Sequence, residues 1–484
     1  VAKIDDREPD PKFEPDELVV HTLNRWCLEG LEELKTIYPP EHWQKFPVEQ
    51  YERQIAHEIN VLKNVGMHAV RYMLMVAGEI RWARRNDIIV GPGRGSAAGS
   101  LVAYLSGITD IDPIPYRLKF GRFINPGRKG MPDIDVDFMP GAAGKDRVIQ
   151  HTAEVYGAEN VIPIAAYGTY GPRKALADTC RVFDDLIDFP TAQRYQKAID
   201  LKPTEKDDLE DCAKRFPEIA EFKQRYPTLW HVATKIEGHP FSQSSHASGV
   251  LVKPSGIEMP TAAKIDKATG ERTEVTMWPD TKELLANYGW LKIDYLVIEG
   301  LIRQHEVMKA LRDREGTPID LRALPVRWDP EAVDPAVMDQ FCHAKTLGVW
   351  QMEGKATLPL LKAIQPSNMH DLAAINALIR PGAREGGITE EYAKRKHGEI
   401  PESEWYWHES VEEILRPTYG LMVYQEQAME IVQALGGFSE GEADDMRKAM
   451  GKKYREGMAA VIAFLDDLGY EQKWMDSASG IIGE

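Results

Sequence analysis

Asp133, Asp135 and Asp137 occupy every second position of the stretch Met131-Pro132-Asp133-Ile134-Asp135-Val136-Asp137-Phe138, with Ile134, Val136 and Phe138 filling the gaps. In a strand, alternate side chains share a face and i to i+2 spans ~6.7 Å, so the three acids point one way and the apolar residues point into a core. No cation lies among them, and like charges this close repel unless something outside compensates. Divalent metal supplies that compensation: hard oxygen ligands at this spacing suit Mg²⁺, which also takes oxygens from substrate phosphates. A polar edge strand with its acids in water accounts for the same pattern, so the rest of the chain has to choose.

Two other stretches bear on the choice. Residues 290–296 read as a short strand whose Leu291, Ile293 and Leu296 are core-like. Asp294 inside it needs a partner, because a buried acid without one is costly. Lys292 lies two residues earlier and shares its strand face, where an ammonium can offset phosphate charge. Upstream, Ile88-Ile89-Val90 reads as a buried strand running into Gly91-Pro92-Gly93-Arg94-Gly95-Ser96, with a helix beginning at Ala97. Strand, glycine turn and helix in that order aim free backbone N–H groups at an anion. Arg94 adds a fork of donors and Ser96 a hydroxyl. No Gly-Lys-Ser/Thr closes the turn, so it is not a Walker loop; a tight turn with a capped helix explains it equally. Taken together, carboxylates clamping two metal ions ~3.5–4 Å apart suit in-line phosphoryl displacement, and a triphosphate asks for N–H-rich turns with Lys or Arg.

The elements that must position these groups are mixed. Helices are expected over 16–38, 48–64 (Ile55, Ile59 and Leu62 on one stripe, Gly66 past the end), 69–84 and 145–157. Strands are expected over 161–167 and 246–253, and a turn between strands over 264–274. Residues 168–183 read as turn and helix, 184–235 as a charged, proline-broken helical subdomain, and the chain beyond 300 as almost wholly helical. The first 15 residues, rich in Asp, Glu and Pro, read as a leader or linker. At 484 residues and 43% hydrophobic content the chain has room for two to four domains. No apolar run of ~18 residues marks a membrane span, and the polar N-terminus is not a signal peptide. Cys27, Cys180, Cys212 and Cys342 form no C-x-x-C pair, which points to a reducing interior rather than a disulfide or zinc framework. The net charge of −17 argues against indiscriminate nucleic-acid binding, yet leaves room for a focused basic groove. Basic clusters occur at 116–130 (Arg117, Lys119, Arg122, Arg128, Lys129), at 446–455 (Arg447, Lys448, Lys452, Lys453, Arg455) and at Arg81, Arg84 and Arg85. Each also reads as a solvated face.

Ordered motifs then make a specific resemblance. The run Val90–Tyr104 is followed by Phe123-Ile124-Asn125-Pro126, Met131–Phe138, Tyr167-Gly168-Thr169, His246-Ala247-Ser248-Gly249-Val250, Leu291-Lys292-Ile293-Asp294 and Gln351-Met352-Glu353. Arg380-Pro381-Gly382, Arg395-Lys396-His397-Gly398, Pro417-Thr418-Tyr419-Gly420, Tyr424-Gln425-Glu426-Gln427 and Met446–Lys453 complete the series. In this order they resemble the bacterial C-family replicative DNA polymerases, the alpha subunits of DNA polymerase III, over roughly residues 15–455.

The resemblance implies an α+β multidomain fold: a polymerase-beta-like nucleotidyltransferase palm, an inserted helical thumb and largely helical fingers. The expected division is leader 1–14, palm 15–167 and 246–298, thumb 168–245, and incomplete fingers 299–484. It puts the catalytic and metal-binding triad on Asp135, Asp137 and Asp294, with Asp133 in support. Asp135 and Asp137 are expected to bridge two Mg²⁺ ions (Mn²⁺ as a substitute), and Asp294 to hold the hydroxyl-side ion. Gly95 and Ser96 are expected at the incoming triphosphate, and Arg94, Lys292 and Arg122 near it or the primer end. Arg447, Lys448, Lys452 and Lys453 are expected in the fingers, closing over nucleotide or template or contacting the DNA backbone.

The implied reaction is template-directed addition of dNMP to a primer 3′-OH with release of pyrophosphate, in the bacterial cytoplasm or a phage-infected cell. The implied partners are primer–template DNA, dNTPs, and a sliding clamp and other replisome subunits, with no membrane. A PHP domain before the palm is expected outside these residues. So are a Phe-Asn-Lys-Ser-His type motif and helix-hairpin-helix, clamp-binding and OB segments after the fingers. Two other readings stand beside this one. The first is a non-catalytic DNA-binding or replisome-assembly fragment of such a polymerase. The second is a template-free nucleotidyltransferase, which the long helical C-terminal half disfavours.

Overall fold

A computed structural model describes residues 15–125, 131–201, 207–253, 260–265, 272–277, 290–316, 320–379, 387–406 and 408–451. Apolar residues at helical spacing build its N-terminal layer. Helix α1 (Asp16–Ile37) buries Val19, Leu23, Trp26, Cys27, Leu31 and Leu34, and the short α2 (Pro40–Lys45) follows. Helix α3 (Val48–Val65) buries Tyr51, Ile55, Ile59 and Leu62. Helix α4 (Met67–Arg85) is buried on nearly every side between Ala69 and Ala83, as expected of a helix inside a core; α1 and α3 pack against it. A 3₁₀ turn, Gly95–Gly99, leads into the fully buried α5 (Leu101–Leu105), which α1 and α3 also cover. One further helical turn, α6 (Phe120–Phe123), precedes strand β1 (Asp135–Phe138) and helix α7 (Lys145–Tyr156).

The described residues within Glu159–Leu285 form a compact unit of their own. Strand β2 (Val161–Thr169) is followed by α8 (Pro172–Val182), α9 (Phe189–Ala198), α10 (Leu209–Arg215), α11 (Pro217–Arg225) and α12 (Pro227–Ile236). These five helices share a core that includes Leu176, Tyr195, Leu209, Phe222 and Trp230. Their prolines stand in the first turns of α8, α9, α11 and α12, where the missing N–H would be unpaired anyway; they start helices rather than break them. Strand β3 (Pro240–Val252) pairs antiparallel with β2, and β4 (Thr261–Ile265) with β5 (Arg272–Thr276).

The remaining described residues, within Val1–Ala158 and Ala286–Glu484, form the other unit. After strand β6 (Leu291–Val297) come α13 (Gly300–Glu315), α14 (Pro335–Cys342), α15 (Thr357–Ile364), α16 (Met369–Leu378) and α17 (Ile388–Lys396). The helices α18 (Glu409–Leu415), α19 (Gln425–Gly436) and α20 (Glu440–Gly451) complete it. Leu361, Ile364, Ile375, Leu378 and Tyr392 join α15, α16 and α17 in one core. Strand β6 runs parallel to β1. Among the described residues no helix is long and apolar enough to cross a membrane.

Three expectations change. Ile88–Val90 is not a strand; only Val90 makes an isolated antiparallel bridge, to Phe138. Pro92, which has no N–H to donate, stands two residues further on. The helix expected from Ala97 starts at Leu101, after the 3₁₀ turn. The acid strand begins at Asp135 rather than Met131, and Pro132 takes a ladder donor from the residues before it.

Candidate active site

Strand β1 alternates as its sequence requires. Ile134, Val136 and Phe138 are buried, and the Phe138 ring lies 5.7 Å from that of Tyr295 on β6. Asp135 is therefore left on the opposite face, and the parallel register sets it beside Asp294. Asp133 precedes the strand and is exposed, yet its carboxylate turns to the same place. Ligand oxygens of Asp133, Asp135 and Asp294 all lie within 4.8 Å of one another. The Lys292 ammonium is 3.2 Å from the Asp294 carboxylate and is 12% exposed, so the pair is shielded from water.

Asp137, two residues along the same face, has a different partner. Its carboxylate accepts a hydrogen bond from the Arg94 guanidinium at 3.1 Å. Burial pushes the Asp137 carboxyl up from its ordinary value, and the Arg94 charge opposes that rise. Beneath the acids, burial pushes the Tyr72 phenol well up, and the charge of Asp133 adds to it. The Tyr72 hydroxyl donates to the Ile134 carbonyl at 3.5 Å.

The glycine turn is tied to this strand by its backbone. The Gly91 N–H donates to the Asp137 carbonyl at 2.8 Å. A Cβ on Gly91 would fall 2.9 Å from the Asp137 Cβ, so only glycine allows the approach. Gly95 has φ +60°, a left-handed conformation that glycine adopts freely. Ser96 is half-buried in the 3₁₀ turn.

The N-terminus of α5 is not open to an anion, as strand–turn–helix order alone would have it. Glu58, on the apolar stripe of α3 and fully buried, fills it. Its carboxylate accepts from the Ser100 hydroxyl (2.6 Å), the N–H groups of Leu101 (2.9 Å) and Val102 (3.0 Å), and the Gln54 amide (2.9 Å). Ser100 caps the same helix through the Ala103 N–H. Burial pushes the Glu58 carboxyl up, and these donors pull it back. A phosphate at this turn is thus left with Arg94, Gly95 and Ser96. Glu58 had one sequence signal: it is an acid three residues after Ile55 and four before Leu62, within a buried stripe.

Described members of the 116–130 and 446–455 basic clusters are engaged by acids, while Arg128, Lys129 and Arg455 lie outside the described residues. Arg122 on α6 is ion-paired with Glu426 on α19; Lys119 lies 3.4 Å from Glu430, and Arg117 3.7 Å from Glu413. Arg447 and Lys448 both bind Asp444, each at 2.8 Å, and Arg447 also reaches Gln425. Lys452, Lys453 and the Arg380-Pro381-Gly382 motif lie outside the described residues. Arg84 binds Asp110 at 2.8 Å, and Arg81 lies over the Trp26 ring, so these two arginines serve packing.

A family model described as bacterial DNA polymerase III alpha NTPase domain matches residues 21–297, and one for the bacterial DNA polymerase III alpha subunit finger domain matches residues 301–465. The chain is 34% identical over 475 residues to DNA polymerase III subunit alpha of Aquifex aeolicus, covering 93% of this chain and 39% of that protein. It is 36% identical over 471 residues to the Campylobacter jejuni protein of the same name (96% and 37% covered). To that of Escherichia coli it is 35% identical over 446 residues (89% and 37% covered). The chain therefore spans less than two fifths of the length of these relatives. With both family models matched in succession, this chain belongs to the bacterial DNA polymerase III alpha family.

Proposed function

We propose that the chain carries the nucleotidyl-transfer centre of a template-directed DNA polymerase, which adds dNMP to a primer 3′-OH and releases pyrophosphate. The observation that carries the reading is the convergence of Asp133, Asp135 and Asp294 on the parallel β1–β6 pair. The cluster is made of carboxylates alone, a donor set that suits Mg²⁺, or Mn²⁺ in its place, over softer metals. Asp135, Asp137 and Asp294 would hold two such ions, with Asp133 supporting them. Bound there, the ions supply a lowered pKa for the primer hydroxyl and neutralisation of the departing pyrophosphate.

The chain's own side chains do the rest. Lys292 offsets charge beside Asp294. Gly95 and Ser96 receive the triphosphate. Arg94 exchanges the Asp137 carboxylate for phosphate, to which a guanidinium binds with equal geometric ease. Arg122 meets the triphosphate or primer end, and Arg447, Lys448, Lys452 and Lys453 act from the fingers. Template bases select the nucleotide, while most protein–DNA contacts go to phosphate and weaken with salt. In this reading residues 15–167 and 246–298 are palm, 168–245 thumb and 299–484 fingers. The clamp and other replisome partners bind through other parts of the full-length protein, in the cytoplasm.

A non-catalytic DNA-binding role is the second reading, favoured by one observation: Asp137 is paired with Arg94 and is not one of the three acids whose ligand oxygens converge. Primer extension with four dNTPs on a primed template separates the two. In the full-length protein, Asp135→Ala is expected to slow extension at least about 10²-fold, the scale of losing one transition-state electrostatic group. Unchanged extension would remove the proposed site. A product formed without template would replace it by a simpler nucleotidyltransferase.

A further inference from the structure

The Tyr424-Gln425-Glu426-Gln427 motif has no part in the chemistry above, and its side chains divide their work. The Gln427 side chain is spent locally, accepting from the N–H groups of Val423 (2.8 Å) and Tyr424 (2.9 Å) and donating to the Thr418 hydroxyl (2.7 Å). Gln425 accepts from Arg447. Glu426 alone of the three reaches back across the chain, to Arg122 on α6. That helix packs on the 3₁₀ turn that carries Ser96, so closely that a Cβ on Gly99 would lie 2.6 Å from the Lys119 carbonyl.

Glu426 does not act in isolation. Glu430, one turn further along α19, faces Lys119, and Glu413 faces Arg117. The Glu440 carboxylate packs against Gly121, 3.0–3.2 Å from where a Cβ would be. A stretch of three cations beside the phosphate turn is thus covered by carboxylates from one neighbouring region. The Arg122 and Glu426 side chains remain 31% and 21% exposed, so a soluble anion can reach and replace the carboxylate. A carboxylate and a phosphate compete for the same two guanidinium N–H groups.

We propose that Glu426 is a positioning residue of the nucleotide site. It holds Arg122 in place of a phosphate and is displaced when the triphosphate of an incoming nucleotide binds. The inference rests on the reading of Arg122 as a group beside that triphosphate. Displacement has a defined signature, because the competent fraction of Arg122 sets the apparent affinity. Removing the competitor must tighten binding by more than removing the carboxylate of the neighbouring Lys119–Glu430 pair does.

The test measures binding of inorganic tripolyphosphate to the full-length protein by titration calorimetry at fixed ionic strength. Four proteins are compared: wild type, Glu426→Gln, Glu430→Gln and Arg122→Gln. Glu426→Gln is expected to bind about three- to fivefold more tightly, the range set by one partly exposed ion pair. Its KM for dNTP should fall without a rise in kcat. Glu430→Gln makes the same charge change one turn away and is expected to leave the affinity within twofold. Unchanged or weaker binding by Glu426→Gln overturns the proposal. So does an equal gain with Glu430→Gln, which would mark a general charge effect. Arg122→Gln separates the two layers of inference. If it weakens binding while Glu426→Gln gives no gain, only the placeholder role fails. If it leaves binding unchanged, the assignment of Arg122 to the triphosphate fails with it.

Discussion

Glu58 answers four donors with one carboxylate, and all but the Gln54 amide lie at the buried start of α5. A buried donor without a partner costs about 1–3 kcal/mol, more where the lost partner was charged. Glu58→Ala is therefore expected to destabilise the protein by about 3–5 kcal/mol, and Glu58→Gln, which keeps the shape and one acceptor, by about 1–3 kcal/mol. Denaturant unfolding of both variants measures this; a wild-type midpoint for Glu58→Ala would mean the anchor carries no energetic weight. At this scale the sequence was most legible where residue type and period coincide. Three acids at period two, and Asp294 among apolar neighbours, are visible without coordinates. The partner choice within the face was hidden. Arg94 reaches Asp137 because a loop from elsewhere in the chain folds over β1, and no local pattern encodes that contact.

The glycine turn and the acid strand work as one element because Gly91 has no side chain. Gly91→Ala would put a Cβ 2.9 Å from that of Asp137 and force the two backbones apart, an overpacking cost of about 1–3 kcal/mol. The expected result is a lower unfolding temperature together with slower primer extension, since the turn carrying Arg94 and Ser96 shifts relative to Asp135. Extension at the wild-type rate would show that their closeness is dispensable. Long helices were readable from periodicity alone: α1, α3 and α4 begin and end within a few residues of their expected limits. Short elements were not. The start of α5 depends on Glu58, a tertiary partner, and the run Ile88–Val90 is apolar enough for a strand but meets only one bridging residue. Prolines in the charged block were read as breaks, whereas three of its helices, α9, α11 and α12, use them as first-turn residues.

Across the larger unit, Asp112 is a meeting point. Its carboxylate accepts from Tyr38 at the end of α1, from Tyr51 on α3 and from the Ile114 N–H. Its own N–H donates to the Arg327 carbonyl, and Arg327 is paired with Asp110. Burial pushes the Asp112 carboxyl up to about 6, against the pull of these hydrogen bonds. The folded protein thus keeps a proton that the unfolded chain releases near pH ~3.9. That contribution to stability is complete below about pH 4 and is lost as the pH rises to about 6, amounting to about 3 kcal/mol. Asp112→Asn should remove this segment of the pH profile. Unfolding midpoints of both proteins between about pH 4 and pH 7 give the comparison, and parallel profiles would contradict it. Such a hub could not be read from sequence, because its members come from α1, α3, a loop and a segment more than two hundred residues away. What composition did convey was the charge balance: in a chain of net charge −17, Arg117, Lys119, Arg122 and Arg447 of the basic stretches found acidic neighbours.

The parallel pairing of β1 with β6 joins Asp135 to Asp294 across the whole unit that intervenes in the chain. Closing so long a loop costs only logarithmically more than closing a short one, about 0.6 kcal/mol for each doubling. The delay is kinetic, since non-local contacts form slowly. A nascent chain emerging from the ribosome holds β1 and the glycine turn first, then the intervening unit with its own core, and β6 only afterward. The acid cluster is therefore completed only after the intervening unit has emerged, and a chain that stops short of β6 has strand and turn but no site.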